Sequence, residues 1–160
     1  MRPSGLGLKL EAKVKKVVVL IDDADEFLEH YRDLAVLREV AQGADVHYLN
    51  VFEKTYYNNE FSEYSWPPAE KFPEIVQKME QKLARLNDRI DLGAEKVEFH
   101  CLVESGAADV VIDFLRGQKA DLCVVATRGI QGVLSVFVSS MAEHLLKFSP
   151  CPVLALRPKG

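Results

Sequence analysis

Cysteine is scarce in the 160-residue chain, and the three present, Cys101, Cys123 and Cys151, are odd in number, widely spaced and each set in an apolar stretch. That pattern excludes a disulfide framework and the paired spacings of zinc or redox motifs; it reads as buried thiols acting as small hydrophobes. Glycine, at 9, and proline, at 7, are too few for a collagen-like or low-complexity chain. No apolar run approaches the roughly 20 residues of a membrane-spanning helix, and the start of the chain lacks the apolar segment of a signal peptide. We therefore expect a cytoplasmic protein that makes no use of a membrane. An excess of positive charge is missing as well. Twenty Lys and Arg stand against 24 Asp and Glu, a net charge of −4. The basic residues that cluster, Arg2, Lys9, Lys13, Lys15 and Lys16, stand at the beginning, where residues 1–15 read as a solvated tail. This is not the footprint of a protein that follows a phosphate backbone, so nucleic acid is not an expected partner.

Catalytic signatures are absent too. There is no G-x-x-x-x-G-K-[ST] loop, no G-x-S-x-G elbow, no H-E-x-x-H pair and no G-x-G-x-x-G after the first apolar run. The four histidines, His30, His47, His100 and His144, are far apart in sequence, and each reads as a histidine on a helix or strand surface. No nucleophile with its base and no metal-ligand set emerges, so a turnover enzyme is not the expectation.

What the chain does contain is alternation between two periodicities. Val17-Val18-Val19-Leu20-Ile21 is an unbroken apolar run that stops at Asp22-Asp23, as expected of a strand buried on both faces of a parallel sheet. From Asp25 to Ala41 the spacing of Phe27, Tyr31, Leu34 and Ala41 predicts one helix, stopped at Gly43. A second strand runs through Val46, Tyr48, Asn50 and Phe52. Ile75, Val76, Met79, Leu83, Leu86 and Ile90 line one face of a long helix opened by Pro73 and closed near Gly93. A third strand spans Val97 to Val103, and a helix from Ser105-Gly106 to Gly117 carries Val110, Val111, Phe114 and Leu115. A fourth strand spans Asp121 to Thr127, a helix beginning near Ser140 carries Met141, Ala142, Leu145 and Leu146, and Pro152 to Leu156 is the last strand. The result is an α/β fold: an open, doubly wound, five-stranded parallel sheet of order 3-2-1-4-5 with helices on both faces, in one domain over residues 16–160.

One stretch escapes this alternation. Residues 53–72 form a connection of unusual length that holds Tyr56, Tyr57, Phe61, Tyr64, Trp66 and Phe72, and we read it as a loop. Its aromatics serve a lid or a protein partner in one reading and pack back on the domain in the other.

Ligands of open α/β sheets bind beyond the carboxyl ends of the strands, where strand order reverses. In the order 3-2-1-4-5 that crevice lies between Asp22-Asp23 and Thr127-Arg128-Gly129. Gly129 permits close backbone approach, Arg128 supplies positive charge, and Ser139-Ser140 bring hydroxyls to a helix start. Against an anion site stands Ser140-Met141-Ala142-Glu143, a capping box that accounts for the serine without any ligand. Asp22-Asp23 with Thr127 also matches part of a phosphorylation-receiver site, but the acceptor Asp and the Lys of such a site are missing at Glu104-Ser105 and Leu156-Arg157.

Taken together, Asp23-Ala24-Asp25, Gly43-Ala44-Asp45 through Val51, Glu104 to Asp109, Ala120 to Ala126 and Leu146 to Arg157 resemble the universal stress protein family. The resemblance implies an adenine nucleotide alpha hydrolase-like fold, a homodimer paired through the last strand, residues 152–157, and a stress-response role. It also implies ATP or another adenine nucleotide, with magnesium, as ligand. In the nucleotide-binding branch a Gly-x-x-Gly, nine-residue, Gly-[Ser/Thr] pattern cradles the phosphates. Here those positions are Ala126, Gly129, Ser139 and Ser140, with Met141 following; Arg128 lies within the pattern, and Asp23 and Val51 meet the adenosine. Ala126 and Ser139 replace two of the glycines, which implies a weakened site. A slow nucleotide phosphohydrolase and a nucleotide-independent adaptor working through residues 53–72 are the alternatives.

Overall fold

The computed structural model describes residues 14–31, 34–59, 62–126 and 135–157, with the backbone alone at residue 30, in the hairpin between 55 and 66, and at 135–140. Five parallel strands make the sheet: β1 (Lys16–Leu20), β2 (Asp45–Glu53), β5 (Lys96–Glu104), β6 (Leu122–Ala126) and β7 (Val153–Leu156). Their order is β5-β2-β1-β6-β7, the expected 3-2-1-4-5. Three helices follow the first two strands, α1 (Ala24–His30), α2 (Ala35–Ala41) and α3 (Phe72–Ile90). Two more, α4 (Ala107–Gln118) and α5 (Ser135–Phe148), follow β5 and β6.

β1 explains the apolar run. Val17, Val19 and Ile21 join Leu37, Val46, Tyr48, Leu83 and Leu86 in one core layer, while Val18 and Leu20 join Leu49, Val111, Leu115, Cys123 and Leu145 in the other. Alternate side chains enter opposite layers, and both layers exclude water, so no polar residue is admitted at either parity. The strand is tied at both ends. At its start the Asp121 carboxylate accepts from the N–H groups of Lys15 and Lys16, at 3.1 and 2.9 Å. Beyond its end, Asn50 donates to the carbonyls of Ile21 and Asp22, at 2.9 and 3.0 Å. Arg38 of α2 makes a similar tie between helices, donating to the Ile90 carbonyl at the end of α3 from Nε at 3.2 Å and Nη2 at 2.9 Å.

Several local expectations are corrected. The single helix over 25–41 is two, α1 and α2; Tyr31, which caps α1, and Leu34, which precedes α2, stay buried, so the apolar stripe continues although the helical hydrogen bonding does not. Residues 53–72 are not a plain loop. β3 (Thr55–Asn59) and β4 (Ser62–Trp66) pair antiparallel in a small separate sheet, as a run rich in Thr, Tyr and Trp allows. α4 continues past Gly117 to Gln118, and Lys119 takes the left-handed conformation at φ 53° while Ala120 N–H reaches the Leu115 carbonyl at 3.1 Å. Finally, α5 begins at Ser135, not near Ser140. Glu143, the acidic member of the expected capping box, reaches forward to Lys147 at 2.7 Å. Ser139 and Ser140 therefore lie in the helix's second turn, past the N–H groups that a helix start leaves without an intrahelical partner.

Candidate functional site

A cavity of about 740 Å³ opens at the carboxyl ends of β1, β2 and β6. Of the residues expected there, Asp23, Val51, Ala126 and Met141 line it, together with Asp22. Arg128 and Gly129, like Thr127, lie outside the described residues, and of Ser139 and Ser140 only the backbone course within α5 is described.

Each wall follows from local structure. Asp23 is the N-cap of α1: one carboxylate oxygen accepts from the N–H groups of Asp25 and Glu26, at 2.9 and 3.0 Å. The two acidic residues of that first turn complement the helix dipole. Asn50, buried at 3% exposure, uses its amide to hold Ile21 and Asp22, which fixes the lip of the cavity, and its oxygen lies 3.6 Å from Cys101 Sγ. Opposite, Gly106 enters α4 with φ 74°, a conformation glycine accepts without a Cβ penalty, and donates its N–H to Glu53 Oε1 at 3.2 Å. Ala126 has no positive φ, since the described non-glycine residues that do are Asp91 and Lys119. The missing glycine there costs no backbone strain; the methyl packs toward the α1–α3 core layer.

The lining divides chemically. Phe27, Tyr31, Met79, Val125 and Met141 offer an apolar surface, and Phe27 and Tyr31 stack with ring centroids 4.8 Å apart. Asp22, Asp23, Glu26, Glu53 and Asp109 make the polar wall acidic, and the described lining residues include no Lys or Arg. His144 also lines the cavity, with Nε2 3.3 Å from Asp109 Oδ1. Asn50, Glu53 and His144 were not singled out from sequence as site residues. The strand alternation places Asn50 beside Val51, and a polar residue at a doubly buried position is the signal that marks it.

The sequence profile described as the universal stress protein family matches residues 13–157. The chain belongs to the universal stress protein family. A universal stress protein of Methanocaldococcus jannaschii is 27% identical over 147 residues, which is 89% of this chain and 82% of that protein. One of Thermus aquaticus is 38% identical over 56 residues, and that match spans 35% of this chain and only 41% of the relative. Among solved structures, a universal stress protein in complex with cAMP has a TM-score of 0.61 at 19% identity, covering 91% of this chain and 98% of that one. A universal stress family protein of Arabidopsis thaliana with AMP bound has a TM-score of 0.53 at 14% identity, covering 91% and 93%. At such identities the likeness to the solved universal stress proteins is one of fold.

A second cluster corrects the reading of His47 and His100 as separate histidines on a helix or strand surface. β2 and β5 pair His47 with Glu98 and Leu49 with His100, which puts His47, Glu98 and His100 on one face. His47 Nδ1 lies 3.0 Å from His100 Nε2, and Glu98 Oε2 lies 3.4 Å from each of these nitrogens. Glu98 gives its other oxygen to Lys96. Burial holds the His47 imidazole below its ordinary pKa, with Glu98 pulling the other way. None of the three residues lines the cavity.

Proposed function

We propose that this universal stress protein binds an adenine nucleotide in the cavity beyond β1, β2 and β6 and acts as a binding module in a stress response, not as a turnover enzyme. The observation that carries this reading is the convergence of Asp23, Val51, Ala126 and Met141 on one cavity of about 740 Å³, a size within the roughly 300–1,000 Å³ of small-molecule sites. Solved members of the fold in complex with cAMP and with AMP support it. The apolar surface of Phe27, Tyr31 and Met79 suits a purine ring, and the Val51 backbone suits its edge. Carboxylates such as Asp23 accept hydrogen bonds from ribose hydroxyls. Phosphates are assigned to the segment carrying Arg128, Gly129, Ser139 and Ser140, with magnesium offsetting the acidic residues of the cavity. β7 stands at the sheet edge, paired in the described residues with β6 alone, and we assign residues 152–157 to a homodimer contact. Among the described residues no helix is long and apolar enough to cross a membrane; a cytoplasmic setting is part of the proposal.

Calorimetric titration with ATP, AMP and cAMP, with and without magnesium, tests the reading. Saturable heat with one site per chain, weakened by Asp23→Asn and by Ser140→Ala, is the expected result. No heat and no thermal shift with any of the three would refute nucleotide binding. Phosphate release above background that Asp23→Asn abolishes would instead mark a slow phosphohydrolase.

A further inference from the structure

We propose that His47, Glu98 and His100 form a binding site for a single divalent transition-metal ion of the zinc type, on the sheet face covered by α4 and apart from the nucleotide cavity. The three donor atoms, His47 Nδ1, His100 Nε2 and Glu98 Oε2, make a triangle with sides of 3.0, 3.4 and 3.4 Å. Ligands about 2.0–2.2 Å from a tetrahedral zinc ion are separated by roughly 3.3–3.6 Å, so the triangle is close to the base of such a tetrahedron. Two imidazoles and one carboxylate are the donor set that borderline ions such as Zn²⁺ favour over magnesium or calcium.

The fold supplies the positioning. Glu98 and His100 are two apart on β5 and so share a face, and the parallel register sets His47 of β2 directly across from Glu98. Lys96 holds the far oxygen of Glu98 and leaves Oε2 turned to the imidazoles, the orienting role that outer partners play for metal-ligating carboxylates. Phe114 of α4 meets the His100 ring edge-on, with centroids 5.0 Å apart, and limits its swing. The His47 side chain is 4% exposed, those of His100 and Glu98 23% and 34%, so the cluster is walled on the β2 side and reached by solvent from β5. A water molecule completes the coordination from that side.

Without metal, the two rings share one proton across the 3.0 Å contact. Coordination requires that this proton leave the inner nitrogen of the donor ring and that the ring carry its proton on the far nitrogen, as the other neutral tautomer. Both inner nitrogens then present lone pairs, and no net proton is lost.

The full-length chain, stripped with chelator and dialysed, is titrated with Zn²⁺ by calorimetry and with Co²⁺ by visible absorption. The proposal expects one ion per chain, a raised thermal midpoint with zinc, and an intense visible Co²⁺ band of the tetrahedral type without a thiolate charge-transfer band. Glu98→Gln and His100→Ala, both at partly exposed positions, each lower the affinity by about 100-fold or more while the metal-free chain keeps its circular dichroism. His47→Ala serves as a third variant only if it folds. No saturable binding by the wild-type chain, or binding that survives unchanged in both Glu98→Gln and His100→Ala, overturns the proposal.

Discussion

Replacing Asn50 with Leu tests the idea that one buried amide holds the lip of the cavity. The side chains have the same number of heavy atoms and the same branching, so the substitution removes the hydrogen bonds without opening a cavity. Two donated bonds disappear, to the Ile21 and Asp22 carbonyls at 2.9 and 3.0 Å. Ile21 is 1% exposed, and stranding a buried acceptor of this kind costs about 1–3 kcal/mol. Asp22 is exposed and its carbonyl can turn to water, so its loss is nearer 0.5–1 kcal/mol. The sum, about 1.5–4 kcal/mol, is a large share of the ~5–15 kcal/mol by which native domains are stable. At roughly 2–4 °C per kcal/mol for a chain of this size, the thermal midpoint falls by roughly 3–16 °C. Urea unfolding should show a lower midpoint at unchanged slope, and nucleotide affinity should fall further than stability alone requires, because the Asp22-Asp23 lip loses its anchor. A stability change below about 0.5 kcal/mol at constant slope would refute the assignment of Asn50 as the anchor.

Other outcomes follow from the same structure. Asp23→Ala removes both capping bonds of α1 and should cost about 0.5–2 kcal/mol in chemical denaturation, whereas Asp23→Asn keeps the cap oxygen and should cost little, separating the helix role from the charge. Burial pushes the thiols of Cys101 and Cys123 up to about 11 and about 12, so iodoacetamide at pH 8 should label only Cys151 in the native chain and all three thiols in guanidinium, as read by mass spectrometry. Leu83→Ala, at a position with 0% exposure between α3 and the sheet, should destabilise by about 2–5 kcal/mol in urea unfolding. Lys119→Gly should raise stability by about 1 kcal/mol, because φ 53° suits glycine better than any residue with a Cβ; a loss would mean that the lysine side chain matters more than its backbone.

The fold was legible because its parallel strands are apolar at both parities and its long helix shows one clean stripe, both properties of local sequence. Asp22, Asp23, Val51 and Ala126 could be placed for the same reason: each ends or adjoins such a strand. Local sequence was silent where pairing is non-local. Nothing near His47 announces His100, since the two meet only through a register 53 residues apart. It misled where one pattern serves two structures. Ser140 and Glu143 satisfy a capping-box spacing, yet the apolar residues Val136, Phe137 and Val138 let the helix continue backward, and the same glutamate is taken by Lys147. Tyr56 to Trp66 read as an aromatic loop because strand alternation is hard to see among Tyr, Asn, Ser and Glu without the partner strand.

The double tethering of β1 carries a consequence in time. A central strand with both layers packed and both ends bonded opens only when the whole domain opens, so its amides are expected to be among the last to exchange with solvent. Leu20 and Ile21, which line the cavity, belong to this slowest part. A ligand seated there meets a floor that is effectively static over its residence, and among the described residues accommodation to its shape comes from the helix starts, α1 at Asp23 and α4 at Gly106.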